Sequence, residues 1–365
     1  MNRRRNILLL STLLVGGCLL MAWAWKPYRV VGPSMEPCLA EGDWLFVQKE
    51  NPKHDDLVVF VEPGTGKYAI KRVAGIPGEA IQIVDGDLYL DGKIRQRPLA
   101  SVEDLVPMLN TRGVNADASI GFSKQGFAQE GEHSWKLEGS AVAFLQRPPT
   151  ADYLLRGDFV VGELPAQDLG LEIEYELLAR SSELHLVLRK GRSTFLAVLS
   201  ENGERLQLLL QTPRQEETEI LFEVAIPNST TSGTAFFTLA DGAMTFVLNG
   251  EVLVANMVYP APMPHLNSEL PLDFRKMEHA GVGGIGPLLV GQVRLGRDIL
   301  YRSSGTYGGA KAFQLADGQY FLIGDNSPQS RDSRQYGPVP SERILGTVTS
   351  RAWPRGWTNR GWPLD

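Results

Sequence analysis

A mainly β protein behind one N-terminal transmembrane helix is the fold class that this sequence predicts. Three observations carry it. Across 365 residues, 38 glycines and 23 prolines punctuate short strand-like runs, the pattern of a chain built from turns and strands. Asn-Gly and Asp-Gly pairs recur between alternating apolar segments, the strongest short-range signal for a β-hairpin. A run without charge, residues 7–25, stands near the N-terminus.

That run, ILLLSTLLVGGCLLMAWAW, follows Arg3, Arg4 and Arg5. Its length just spans a hydrocarbon core of roughly 30 Å. Trp23 and Trp25 suit the interfacial belt, and the three arginines favour the cytoplasmic side. Everything from Lys26 onward is then expected outside. A cleaved signal peptide is the rival reading, because Ala22-Trp23-Ala24 supplies small residues at the two cleavage-determining positions. The length of the run and its bulky tryptophans favour an uncleaved anchor.

The chain carries 36 basic and 42 acidic residues, which does not suit a nucleic-acid binder with clustered Lys and Arg. The two cysteines, Cys18 in the apolar run and Cys38, read as free thiols, since a disulfide would join membrane to domain. His54, His133, His185, His265 and His279 are scattered without ligand spacing, so neither a metal nor another cofactor is expected.

Three stretches carry chemistry. The first, GPSMEPCLAEGDWLFVQ over 32–48, puts Ser34 among turn-forming residues close behind the apolar run. Its plainer reading is a turn. The second, KYAIKRVAGIPGE over 67–79, reads as a strand broken by GIPGE. Lys71 there is by the plainer reading a solvated strand residue. As a functional group it is a base for Ser34, whose hydroxyl is a weak nucleophile until a neighbour takes its proton. A lysine serves only when neutral. Burial beside Ile70, Val73, Val30 and Val31 can lower its ordinary pKa of about 10.4 by up to about 3–5 pH units. Ser34 and Lys71 thus fit a Ser-Lys dyad. The third stretch, GQYFLIGDNSPQSRDSRQYGPVP over 318–340, reads as a strand, a dense turn and a crowd of Ser330, Arg331, Asp332, Ser333 and Arg334.

Taken in order, SMEPCLAEGD from Ser34, KRVAGIPGE from Lys71 and GDNSPQSRDSRQYG from Gly324 resemble the boxes of bacterial type I signal peptidase, the S26 (leader peptidase) family. The resemblance implies that Ser34 is the nucleophile and Lys71 the general base. It implies that Ser330 hydrogen-bonds the lysine, and that Arg72, Asp325, Asp332 and Arg334 hold the site together. Val30 and Ile70 match positions lining pockets for the small P1 and P3 side chains, and Met35 joins them as a substrate-binding residue. The implied substrate is the signal peptide of an exported preprotein, cut after an Ala-x-Ala-like sequence. The implied setting is the bacterial cytoplasmic membrane, single-pass, with the N-terminus cytoplasmic, the catalytic part outside, and the bilayer and the secretion translocon as partners. The backbone N–H of Ser34 would face the oxyanion. Gly32 stands where some members have Ser or Thr, Cys38 where Thr is usual, and Ser327-Pro328 where Arg-Asp is commoner.

The resemblance covers roughly 5–98 and 312–353. GDLYLDGKIRQRP, ending at Pro98, fits the family's hairpin, with an Asp91-Gly92 turn. Between the halves, LEIEYELLA (171–179) and ELHLVLRKG (183–191) alternate apolar and polar residues. Residues 193–211 form a hairpin with Asn202-Gly203 at its tip, and 234–257 turn at Asp241-Gly242 and Asn249-Gly250. This is the pattern of an antiparallel sandwich. With GGIGPLLVGQVRLGRDILY (283–301) it resembles a concanavalin-like (LamG-like) jelly roll. Such folds often bind glycans, for which Trp135, Tyr175 or His185 are candidates. The plainer reading, a packing insert, is favoured because no polar-aromatic cluster stands out.

The organisation expected is an anchor at 1–26, a discontinuous signal-peptidase β-domain at 27–98 and 312–365, and a jelly-roll β-sandwich insertion at 99–311. The function expected is a membrane-anchored serine endopeptidase. The alternatives are a glycan-binding or envelope-scaffold protein with a vestigial peptidase half, and a peptidase dedicated to one maturation substrate, such as a conjugation or pilus protein.

Overall fold

A computed structural model describes residues 26–352, apart from 98, 101–104, 111–125, 132–133, 145–152, 156–157, 161–165, 167, 192, 213–217 and 260–278. The apolar run at 7–25, with Cys18, lies outside the described residues, as do His133 and His265. Among the described residues no helix is long and apolar enough to cross a membrane.

The two ends of the sequence share one sheet. Its seven strands lie in the order Lys26–Arg29, Trp44–Gln48, Ile344–Ala352, Leu57–Val61, Tyr68–Gly75, Gln319–Ile323 and Val339–Pro340. Every neighbouring pair is antiparallel. YAIKRVA is therefore an interior strand, between Leu57–Val61 and Gln319–Ile323. The solvated reading of Lys71 fails for that reason: the residue is 4% exposed. A smaller sheet, Phe313–Gln314, Ala80–Val84, Asp87–Leu90 and Lys93–Ile94, packs nearby. Ile81, Ile83 and Leu88 share a core with Phe321 and Ile323 of the larger sheet. The Asp91-Gly92 turn forms as expected, with φ of 50° and 78° at its two residues.

The middle of the chain forms two further antiparallel sheets. One contains Glu251–Val258, Ala243–Leu248, Ser232–Ala240, Leu169–Leu177, Leu288–Arg297, Trp135–Leu137 and Phe127–Gln129, with Val106–Asn110 also paired to Leu288–Arg297. The other contains Ser140–Phe144, Ala280–Ile285, Glu183–Lys190, Ser193–Ser200, Arg205–Gln211 and Glu219–Ala225. Side chains alternate across a strand, so Leu169, Leu171, Ile173, Tyr175 and Leu177 point one way. They meet Leu184, Leu186, Leu188, Phe195, Ala197 and Leu199 of the second sheet in one buried cluster. That interdigitated layer makes the pair a sandwich. Residues 283–301 divide at Gly286-Pro287, so Ala280–Ile285 closes one sheet and Leu288–Arg297 runs through the other. Asp241-Gly242 and Asn249-Gly250 adopt φ of 50°, 72°, 52° and 81°, the left-handed pair that two-residue hairpin turns require.

Candidate active site

Ser34 sits in a short irregular segment between Lys26–Arg29 and Trp44–Gln48. The segment is tied to itself: Glu36 N–H donates to Pro33 O at 3.0 Å and Leu39 N–H to Met35 O at 2.8 Å. Gly42 and Asp43 close its base, Gly42 N–H donating to Val30 O and Ala40 N–H to Asp43 Oδ2 at 2.9 Å. Val30, Met35, Cys38, Leu39, Leu45 and Leu57 form a buried cluster under it, with Ile70 packed alongside. The three residues matched to substrate recognition, Val30, Met35 and Ile70, therefore lie together. Val30 and Met35 are buried and Ile70 is half-buried.

The Tyr68–Gly75 strand delivers Lys71 to the serine. Nζ donates to Ser34 Oγ at 2.6 Å and to Ile70 O at 2.8 Å. Burial brings the Lys71 pKa down to about 8, although the carboxylates of Asp332, Asp325 and Glu62 oppose it. A buried lysine with a lowered pKa, touching a hydroxyl, is a candidate acid–base group.

Arg72, next in the strand, grips Asp325 in two parallel bonds, Nε to Oδ1 at 2.8 Å and Nη2 to Oδ2 at 2.6 Å. Its Nη1 donates to Asp55 O at 2.8 Å and its Nη2 also reaches Cys38 Sγ at 3.4 Å. Cys38 is buried and in no disulfide. Asn326, beside Asp325, reaches the segment that carries Ser34: its N–H donates to Ser34 O at 3.1 Å and its Nδ2 to Pro33 O at 2.9 Å. Among the described residues no acceptor takes the Ser34 N–H.

Asp332 is the hub of the remaining charges and is wholly buried. Its Oδ2 accepts from Gly324 N–H at 3.0 Å, Ser330 Oγ at 2.7 Å and Arg334 Nη2 at 2.7 Å. Its Oδ1 accepts from Arg334 N and Nε at 3.2 and 2.8 Å. It also caps the Ser333–Tyr336 turn of helix, with Gln335 completing a capping box. The Ser330 hydroxyl thus spends its proton on Asp332. Lys71 Nζ has Ser34 Oγ and Ile70 O as its hydrogen-bond partners among the described residues, so the direct Ser330–Lys71 bond that the resemblance implies is absent. The carboxylate between the hydroxyl and the guanidinium outcompetes the lysine because a charged acceptor makes the stronger bond. Gly324 allows this closeness: a Cβ there would stand 2.2 Å from Ser330 Oγ and 2.5 Å from Ser34 O.

Among the described residues no group of three or more His, Cys, Asp or Glu is arranged to hold a metal ion. His54 pairs with Glu79 at 2.9 Å and His185 with Glu183 at 2.8 Å.

The family profile described as "Signal peptidase, peptidase S26" matches residues 3–125 and 294–353. The chain belongs to the S26 signal peptidase family. It is 35% identical to signal peptidase I of Bacillus licheniformis over 88 residues, 23% of this chain and 47% of that protein. It is 29% identical to signal peptidase I of Streptococcus pneumoniae serotype 4 over 167 residues, 42% of this chain and 82% of that protein. The chain thus matches about half the length of the first relative and most of the second. Among solved structures, the carbohydrate binding module CBM66 from Bacillus subtilis aligns with a TM-score of 0.29 and 8% identity, covering 49% of this chain and 92% of that one. At that score the likeness says nothing about a ligand.

As an S26 chain, this one departs from the common box at Ser327. The departure has a partner here: Ser327 Oγ accepts from Arg334 Nη1 at 2.5 Å and from Arg302 N–H at 2.8 Å. Sequence reasoning passed over Asn326, although it stands in the Gly-Asp-Asn box that marked Asp325. Ser333, whose Oγ accepts from Leu322 N–H at 2.9 Å, was equally legible there. Asp55, Arg95 and Arg97 carried no signal at all, because their partners are far away in sequence.

Proposed function

We propose that this chain is a membrane-anchored serine endopeptidase that removes signal peptides, with Ser34 as nucleophile and Lys71 as general base. The observation that carries the reading is the 2.6 Å contact between Lys71 Nζ and Ser34 Oγ inside a buried site. With neutral Lys71 the hydroxyl becomes the donor. Its proton passes to Nζ as Oγ attacks the scissile carbonyl, and the ammonium then protonates the leaving amine. Water, deprotonated by the same lysine, cleaves the acyl-enzyme. The Ser34 N–H is the candidate oxyanion donor, a type of contact that contributes about 10²–10³ in rate. Asn326, by holding the Ser34 carbonyl, keeps that peptide turned. Arg72–Asp325 and Asp332–Arg334 are the supports of the site, and Ser330 acts through Asp332.

The small side chains of an Ala-x-Ala sequence suit the apolar surroundings that Val30, Met35 and Ile70 provide beside Ser34. Trp44 and Tyr68, on strands of the same sheet, and Val31, just after its first strand, are 47%, 69% and 82% accessible and follow the apolar run at 7–25 in sequence. They support a site held at the bilayer surface. The domain reading follows: 27–98 and 312–365 form the catalytic unit, and 99–311 a jelly-roll insertion.

The base must be neutral, so kcat/KM should rise about tenfold per pH unit below about 8 and level off above it. A rate already flat from pH 6 upward would remove Lys71 as the titrating base. The direct test uses full-length protein in phospholipid vesicles with a preprotein carrying an Ala-x-Ala signal peptide, beside Ser34→Ala. Release of a mature product with its new N-terminus after the P1 residue is expected only from the unsubstituted protein. Cleavage by neither protein across several such substrates would refute the reading.

A further inference from the structure

The sandwich and the catalytic sheets meet at a buried charge junction built on Arg97. Its Nη2 donates to Asp298, which directly follows the Leu288–Arg297 strand. Its backbone N–H and Nε donate to Asp241 Oδ2 at 3.3 and 3.4 Å, and Asp241 forms the tip of a sandwich hairpin. Gly242 at that tip sits against the small catalytic sheet: a Cβ on it would stand 3.2 Å from Ile94 Cδ1. Asp168, paired with Lys190, accepts from Asp241 N–H at 3.2 Å. Burial pushes the carboxyl pKa of Asp241 up despite the nearby guanidinium of Arg97, as expected of a largely desolvated carboxyl.

The same short segment faces the active site. Arg95 holds the Asp55 carboxylate with both Nη atoms, one at 2.8 Å. Against the upward push of burial, Arg95, then Arg72 and Arg97, keep the Asp55 carboxyl below its usual value. Asp55 O accepts from Arg72 Nη1, Arg72 grips Asp325, and the next residue, Asn326, holds the carbonyls of Pro33 and Ser34. Ion pairs and hydrogen bonds, joined through the backbone at 95–97 and at 325–326, thus connect the sandwich hairpin to the nucleophile segment.

We infer that Arg97 is a positioning residue: by clamping the sandwich at Asp241 and Asp298 it sets, through Arg95, Asp55, Arg72 and Asp325–Asn326, the placement of Ser34. The sandwich is then a structural partner of the reaction and not a passenger. The inference rests on the proposed peptidase reading for its kinetic consequence alone. Coupling along such a network is established by perturbing it and not by proximity.

The test uses full-length protein in phospholipid vesicles, with Arg97→Met and Arg97→Lys. Hydrogen exchange is followed at the amides of Asn326 and Asp55, and kcat and KM on the Ala-x-Ala preprotein. In Arg97→Met the Asn326 amide is expected to exchange about tenfold faster and kcat to fall about tenfold at unchanged KM, a size typical of coupled positions. Arg97→Lys should recover part of both, since it keeps the charge but not the fork. Unchanged exchange at Asn326, in a variant whose sandwich strands keep their protection, would overturn the inference. Should Arg97→Met not fold, Asp241→Asn is judged by the same criterion. Unsubstituted protein that cuts no preprotein would defeat the peptidase reading, and the exchange comparison would still decide the role of Arg97.

Discussion

Methionine in place of Lys71 is expected to lower the cleavage rate by about 10⁴-fold or more while the protein remains folded, the scale on which single members of such catalytic sets act. Two physical effects separate here. The first is chemical: Ser34 Oγ loses the amine 2.6 Å away, and a hydroxyl without a base does not attack an amide at a useful rate. The second is energetic and has the opposite sign. Lys71 is held in a site whose burial disfavours its charge, so an apolar side chain of similar length should leave stability unchanged or raise it at pH 7. A purely structural lysine would behave in reverse, losing stability before activity. Single-turnover cleavage and a thermal melt on the same preparation check both halves. The Ser34→Ala, Lys71→Met double variant should be no slower than either single one, because the two residues act as a unit. Cleavage by Lys71→Met within tenfold of the unsubstituted protein would refute the assignment.

Alanine at Asp332 is expected to cost about 3–5 kcal/mol of stability, the scale for removing one member of a buried ion pair. The reason is what the change leaves behind. Arg334 is 1% exposed, and its Nε and Nη2 would lose the carboxylate they share. Its remaining acceptors, Arg302 O, Ser327 Oγ and Ser327 O, satisfy hydrogens but not charge. Ser330 Oγ and Gly324 N–H lose an acceptor as well. A urea titration reads the effect as a lower midpoint at unchanged slope. A loss below about 1 kcal/mol would show that water enters to replace the carboxylate, and that Asp332 is not the hub of a buried charge network. Asp332→Asn, which keeps volume and two acceptor lone pairs, should fall between.

How much of this was legible beforehand differs by the range of the interaction concerned. Ser34 announced itself through the prolines and glycines around it, because a turn that presents a hydroxyl is local chemistry. Lys71 showed as a lysine in an apolar strand, and Asp325, Asp332 and Arg334 as charges crowded after a turn. The hairpins at Asp91-Gly92, Asp241-Gly242 and Asn249-Gly250 were readable for the same reason: two adjacent residues with positive φ demand those side chains. The alternating runs at 171–179 and 183–191 became Leu169–Leu177 and Glu183–Lys190 within two residues at each end.

The failures share a cause. Whether Lys71 was buried depended on which strands would flank Tyr68–Gly75, and one of those, Gln319–Ile323, comes from the far end of the chain. Whether Ser330 would bond the lysine or Asp332 depended on angles and distances of a folded loop. Arg95 and Arg97 looked like ordinary polar residues after a hairpin, since Asp55 lies 40 positions from Arg95, and Asp241 and Asp298 lie 144 and 201 positions from Arg97. The sequence by itself determined the strands, the turns and the candidates for the reactive groups, because those follow from backbone preferences and residue chemistry over a few neighbours. Only the tertiary structure decided burial, charge pairing and the lysine's lowered pKa. These depend on the dielectric around a group and on partners brought to it by the sheet, and neither is written in the residues beside it.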